Sequence, residues 1–289
     1  MNILKFLRKN IILIIFIIIF VVWSLGPIVW TLIASVTPEV NLLEKPPKIV
    51  FSDFNFSTYE KLLTETSAGS QAGVREGKDF RKGMLNSIIV AIMTTVLCTI
   101  VSVISGYTIS RYKFHGKRFL FLFIILTMPI PLVVIAIPLI RIVATLKLMD
   151  SHLGLSLIYT SFTLPLGMWL SASYIQTIPK ELEEAAYIDG CNRFQAFFKI
   201  IVPLSKPIIG AVAIISFLDS WCQFFVPLIF APSNAKQVTI VITEFVGKLF
   251  VDKDLISAAG IIALVPPAIL ILLFNKFIVG GLSKGALKE

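Results

Sequence analysis

Six stretches of this chain stay apolar long enough to cross a lipid bilayer, and that limits everything else the chain can be. They run over about 11–33, 84–110, 118–144, 153–176, 207–230 and 257–280. A helix needs about 20 mostly apolar residues to span the hydrocarbon core. Inside lipid, every backbone N–H and C=O must find its partner within the protein, so such runs fold as helices. A closed barrel is the other solution, but it is written in short alternating segments, which this sequence lacks. Composition agrees: 56% of the 289 residues are hydrophobic and 15% are charged, against about 25% charged in a soluble domain. The expected fold is an all-α membrane protein with six transmembrane helices in a single domain over 1–289.

Charge sets the expected orientation. The first run follows Lys5, Arg8 and Lys9 and contains Trp23, Pro27 and Trp30. A signal peptide would offer a shorter core and a small-residue cleavage site, and this run is too long, so it reads as a retained helix. Between the second and third runs, a short hairpin at 111–118 packs Arg111, Lys113, Lys117 and Arg118. Basic residues in short loops stay on the cytoplasmic side. Both termini are then cytoplasmic, with 34–82 an extracytoplasmic loop and 177–206 a cytoplasmic one. The net charge of +9 reflects this orientation rather than a nucleic-acid partner.

Loop 34–82 contains Pro38, Pro46 and Pro47, which exclude one continuous helix. Residues 66–77, TSAGSQAGVREG, read as a polar, flexible excursion. Of the three cysteines, Cys98 and Cys222 fall in expected spans and Cys191 in the cytoplasmic loop. Their spacing suits neither a metal nor a redox pair, and all three read as reduced.

The segment 177–206 carries the most information. Pro179 suits a first helical turn, and Glu181, Glu183 and Glu184 follow where the helix dipole favours negative charge. Gly190 suits the left-handed residue that ends a helix, and Asn192 can cap the next one. Pro203 closes that second helix and Pro207 opens the following span. Leu182, Ala185, Ala186 and Asp189 are placed on one face, where the small alanines admit close approach of another backbone. On helix logic alone, an amphipathic helix that merely reconnects two spans fits equally well.

The same residues carry a resemblance. Glu184-Ala185-Ala186, three residues, Gly190, and then Ile201-Val202-Pro203 resemble the EAA loop of binding-protein-dependent ABC importers. Asn86-Ser87, Gly106-Tyr107 through Arg111, Leu164-Pro165, Trp169, Ser220-Trp221, Pro227-Leu228 and the tail from Gly281 to Lys288 resemble the maltose-type carbohydrate permeases in order along most of the chain. The resemblance implies a permease subunit, half of an import pathway for a carbohydrate, an oligosaccharide, in the inner membrane of a bacterium or archaeon. It implies a coupling role toward a cytoplasmic ATPase for Glu184, Ala185, Ala186, Asp189, Gly190 and Pro203. It also implies ATPase contact by Ser283, Lys284 and Gly285 in the tail. The implied partners are a second permease subunit in a heterodimer, an ATPase dimer that binds ATP and Mg, and an extracytoplasmic solute-binding protein. No cofactor or metal is expected in this chain, and no catalytic residue. A non-sugar solute such as a polyol phosphate stays open as cargo.

Asp219 is the acid placed well inside a span, and a charge there is a functional hypothesis by default. Trp221 and Gln223 follow it, and an aromatic face with hydrogen-bonding groups suits a sugar pathway. Bonding of Asp219 to a neighbouring helix, and packing of Trp221, remain equally open. Pro129, Pro131 and Pro138 interrupt the third span and Pro266 and Pro267 the sixth. They mark either kinks at a moving pathway or simply bent helices. The chain has no G-x-x-x-x-G-K-[ST] phosphate loop, so an ATP-driven machine must borrow its ATPase. A secondary carrier would show repeats and charge relays, and an intramembrane enzyme a cluster of chemistry-bearing side chains. Neither pattern is found: His115 lies in a loop and His152 at a span end.

Overall fold

The computed structural model describes residues 11–64, 71–246 and 253–286, with side chains left out at 11, 71–75 and 275–286. Every element in the described residues is helical. In chain order they are α1 (Ile11–Val36), α2 (Glu39–Leu43), a 3-10 turn (Phe51–Asp53), α3 (Ser57–Leu63), α4 (Gln71–Arg111), α5 (Lys117–Ile125), α6 (Leu132–Thr145), α7 (His152–Gln176) and α8 (Glu181–Ile188). Then come α9 (Arg193–Leu204), α10 (Lys206–Cys222), α11 (Phe225–Phe230), α12 (Val238–Glu244) and α13 (Lys253–Ala286). The chain packs as two compact units, Met1–Arg81 with Val241–Leu264, and Lys82–Ile240 with Val265–Glu289.

Among the described residues, four helices are long and apolar enough to cross a bilayer: α1 from Ile12, α4 from Glu76, α7, and α13 up to Phe274. A fifth crossing results if α9 and α10, bent by 75° at Ser205, are taken as one span. The spans expected over 118–144 and 207–230 are each broken, and proline explains both breaks. A proline ring clashes with the carbonyl four residues back. For Pro129 that carbonyl belongs to Ile125, the last residue of α5. For Pro227 it belongs to Gln223, where α10 has ended and the backbone is extended. The freed Gln223 carbonyl accepts from Thr239 Oγ1 at 2.8 Å. Pro138, Pro165 and the Pro266–Pro267 pair are instead absorbed within α6, α7 and α13.

The flexible excursion expected over 66–77 is corrected in its second half. Residues 65–70 lie outside the described residues, but from Gln71 the chain is already helical and continues as α4. Tertiary packing holds this polar first stretch. A Cβ on Gly77 would lie 2.2 Å from the Lys61 carbonyl oxygen, so the two backbones touch. Phe80 is fully buried, with its ring 6.4 Å from that of Phe245. Arg81 Nη1 donates to the Thr64 carbonyl at 2.6 Å, closing the end of α3.

Within the second unit, α7 is the central helix. It buries Leu155, Ile158, Tyr159, Met168, Ala172 and Ile175. Small residues let α4 approach it closely. A Cβ on Gly106 would lie 2.5 Å from Ser171 Cβ and 2.8 Å from the Ala172 nitrogen, and one on Gly167 would lie 2.2 Å from Ser102 Oγ. Small-residue contacts of this kind drive helix association where lipid removes the hydrophobic drive. Helix α1 differs, because its most apolar window buries none of its residues. Lipid or a partner must cover that surface.

At the other end of α7, a loop is stitched in place. Asp150, at φ +52, accepts the backbone N–H groups of Ser233, Asn234 and Ala235 at 2.8–3.2 Å. The Asn86 amide donates to the carbonyls of Asn234 and Lys236, both at 2.9 Å, and its oxygen faces His152 Nε2 at 2.8 Å. Because the Asn86 NH2 is spent on two carbonyls, His152 donates. Ser87 Oγ accepts from the Val238 nitrogen. The variant Asp150→Ala strands three amides; their hydrogen exchange should quicken about tenfold or more, since bonds to a charged acceptor contribute about 1.5–3 kcal/mol. Asp150→Asn, which tolerates positive φ and keeps an acceptor, should stay near wild type.

Candidate functional site

The segment 177–206 folds as helix, turn, helix, and local chemistry accounts for each step. Helix α8 begins with three glutamates in its first turn. At its end Ile188 is the last helical residue, Asp189 is the C-cap and Gly190 takes φ +84. The Gly190 N–H reaches the Tyr187 carbonyl and the Cys191 N–H the Ala186 carbonyl, the paired bonds of a left-handed helix stop. Asn192 then caps α9: its side chain accepts from the Gln195 nitrogen at 2.8 Å, and the Gln195 side chain accepts from the Asn192 nitrogen at 2.9 Å. This reciprocal box satisfies two orphan donors.

Helix α9 is not α-helical throughout. Phe197–Ile201 form a π turn in which the Val202 N–H bonds the Phe197 carbonyl. Pro203 follows directly; it has no N–H to continue the ladder, and a widened turn before it absorbs the fault. The bend to α10 comes at Ser205, between Pro203 and Pro207.

The expected face of α8 is corrected in one member. Ala186 is buried and pairs inward with Glu183, while Leu182, Glu184, Ala185, Ile188 and Asp189 are exposed. Ile188 is 87% exposed and Phe194, at the head of α9, is 73% exposed. An apolar pair this open at a turn is a contact surface in search of a cover.

Sequence reasoning missed the residues beneath that surface. Glu183 was legible only as one of three dipole-matched acids, and Arg111 only as part of a basic hairpin. In the structure Arg111 Nε pairs with Glu183 Oε1, Tyr107 donates its hydroxyl to Glu183 Oε2 at 2.8 Å, and Arg111 Nη2 donates to the Ile178 carbonyl at 2.8 Å. The side chains of Arg111 and Glu183 are only 8% and 6% exposed. Tyr107 also packs its ring 4.8 Å from Phe197, in a core with Val103, Ile175, Ile178 and Ile201. The spacing of Tyr107 and Arg111, four apart on one helix face, is the signal that could have marked them.

The span candidates separate. Asp219 and Gln223 are half-buried and close: Thr163 Oγ1 donates to one Asp219 oxygen and Gln223 Nε2 lies 3.5 Å from the other. Trp221 is buried and stacks on Phe217, ring centres 5.5 Å apart. Ser283, Lys284 and Gly285 fall on the last turns of α13, and their side chains lie outside the described residues. Among the described residues, no three His, Cys, Asp or Glu side chains gather as a metal site would require. The cysteines are free, with Cys98 buried, Cys191 half-buried and Cys222 exposed.

Residues 99–284, which contain this helix–turn–helix, match the model of the binding-protein-dependent transport system inner membrane component. The chain belongs to that family. Members are permeases of ABC transport systems, and this one is accordingly a membrane protein of the same class. The sulfoquinovosyl glycerol transport system permease protein SmoH of Agrobacterium fabrum is 31% identical over 93% of this chain and 91% of its own. The trehalose transport system permease protein SugB of Mycobacterium tuberculosis is 30% identical over 92% and 93%. The trehalose/maltose transport system permease protein MalG of Thermococcus litoralis is 30% identical over 97% of each chain. A solved bacterial ABC transporter involved in the import of the acidic polysaccharide alginate superposes with a TM-score of 0.76, covering 94% of this chain and 96% of that one. At 20% identity that likeness speaks for the fold. The family permease thus has its helix–turn–helix inside the region that defines the family.

Proposed function

We propose that this family permease forms half of the translocation pathway of an ATP-driven importer and carries a carbohydrate, an oligosaccharide. The observation that carries the reading is α8 itself: a short helix stopped at Gly190, held from below and presenting an open apolar tip. In this reading α8 is the coupling helix. Its exposed side, with Glu184, Ala185 and Asp189, docks on a cytoplasmic ATPase, and Gly190 and Pro203 set its turn and exit. The ATPase, a partner subunit, binds ATP and Mg. The tail at Ser283, Lys284 and Gly285 reaches toward the same subunit.

The carbohydrate assignment draws on the relatives, whose names give sulfoquinovosyl glycerol, trehalose and maltose as cargo. Asp219 and Gln223 offer hydroxyl partners on the pathway side of α10. Trp221 serves the core beneath them. The membrane topology that fits is six crossings with both termini cytoplasmic, the broken pairs α5–α6 and α10–α11 each contributing one crossing. A second, related permease subunit and an extracytoplasmic solute-binding protein complete the machine.

Affinity purification of the full chain from its own membranes in mild detergent, followed by mass spectrometry, tests the assembly. Recovery of a P-loop ATPase and a second polytopic subunit in stoichiometric amounts is the expected result. A chain that emerges alone, even after cross-linking in the membrane, refutes it.

A further inference from the structure

We infer that Glu183 is a positioning residue that fastens α8 to the C-terminal end of α4, so that a displacement of α8 is handed to α4 directly. This rests on the reading of α8 as the helix that docks on the ATPase.

Burial makes the case. Among the residues of α8, only Glu183 and Ala186 are buried. An alanine offers one methyl group, so the fastening falls on Glu183. Both of its carboxylate oxygens are engaged, one by Arg111 and one by Tyr107, and these lie one turn apart on α4. Arg111 spends its other arm on the carbonyl of Ile178, the residue just before Pro179 where the chain leaves α7 and enters α8. One guanidinium therefore holds both the first turn of α8 and the hinge leading into it. A planar fork does this where an ammonium could not hold two acceptors in fixed directions.

The division of labour among the three acids follows. Glu181 and Glu184 are exposed and free to meet a partner, whereas Glu183 turns inward, where an ion pair survives only if its remaining lone pairs are satisfied. Tyr107 supplies that satisfaction. The Tyr107 ring also packs on Phe197 of the π turn, so the same contact registers α9 against α4. Force applied to the exposed side of α8 has a short, stiff path into a helix that runs to Gln71.

The test uses the assembled transporter in nanodiscs, with Cys98, Cys191 and Cys222 replaced by alanine or serine. A bimane fluorophore is placed at Ile188→Cys, on the exposed tip of α8, or at Ile100→Cys, an exposed site of α4 three turns before Arg111. The signal is the emission change on adding ATP with vanadate. With Glu183 present, both probes should respond. In Glu183→Gln the Ile188 probe should still respond, while the Ile100 response should fall about fivefold or more, because the buried guanidinium loses its counter-charge. Arg111→Lys, which keeps the charge and loses the fork, should retain about half of the Ile100 response, and Tyr107→Phe should fall between that and wild type. These two carry the test if Glu183→Gln fails to accumulate. An Ile100 response unchanged in the Glu183 and Arg111 variants overturns the inference. A wild-type complex whose Ile188 probe ignores ATP overturns the docking reading instead, and this inference with it.

Discussion

Gly190→Val should insert normally and assemble, yet transport about tenfold less or worse while the complex continues to hydrolyse ATP. The residue sits at φ +84 with nothing within 4 Å of the position a Cβ would take. Space is therefore not at issue, and the whole effect is backbone strain. A left-handed L-residue costs about 1–2 kcal/mol, with β-branched side chains at the upper end because their χ1 freedom is already narrow. That is enough to shift the turn toward a conformation in which the Cys191 N–H no longer reaches Ala186, unwinding the last turn of α8. Gly190→Asn is the decisive control. Asparagine is as bulky as valine but tolerates positive φ, so it should retain most of the activity. Uptake of the transported solute by whole cells, set beside ATPase activity of the purified complex, checks both variants. Equal loss in the two would locate the fault in contact with a partner rather than in the backbone.

Gly106→Ala should lower the thermal midpoint of the detergent-solubilised complex by about 5 °C or more, on the basis of roughly 2–3 kcal/mol of overpacking. The methyl group would meet the Ala172 nitrogen at 2.8 Å and Ser171 at 2.5 Å. A backbone atom cannot move aside without moving α7. Gly167→Ala makes the contrast. Its shortest contact, 2.2 Å, is to Ser102 Oγ, the free end of a side chain that can turn. The shift there should be less than half as large, despite the closer distance. Gly106→Leu should prevent accumulation in the membrane altogether. A thermal aggregation assay with fluorescence-detected size exclusion separates these cases, and equal shifts for the two alanine variants would mean that α4 and α7 are less closely packed than they are here.

What could be read in advance follows how far each cause lies along the chain. The apolar runs are local, and helices stand on all of them. The stop at Gly190 and the cap at Asn192 are local too, because helix ends are settled by residues within one turn. The break at Ile125 was readable from Pro129, which interrupts the third expected span; the one at Gln223 was readable in principle from Pro227, four residues on, but the length of the apolar run hid it. The first turns of α4 were not readable. Residues 71–82 are polar and contain Gly77, and their helix exists because Lys61, beyond the reach of a single helical turn, and Phe245, far along the chain, meet it. Glu183 was hidden for the same reason: its partner Arg111 is 72 residues away, and nothing near Glu183 sets it apart from Glu184.

The π turn at Phe197–Ile201 has a meaning for how such chains change over time. A π turn is an α-helix carrying one residue more than its ladder needs. Losing a codon there would close the widened turn to plain α-helix and leave both ends of α9 facing as they do, whereas the same loss in an unbroken α-helix would turn one end against the other by about 100°. The π turn is therefore the place where α9 can lose a residue without re-aiming the Phe194 end against the Pro203 bend, and the spans on either side keep their length and register.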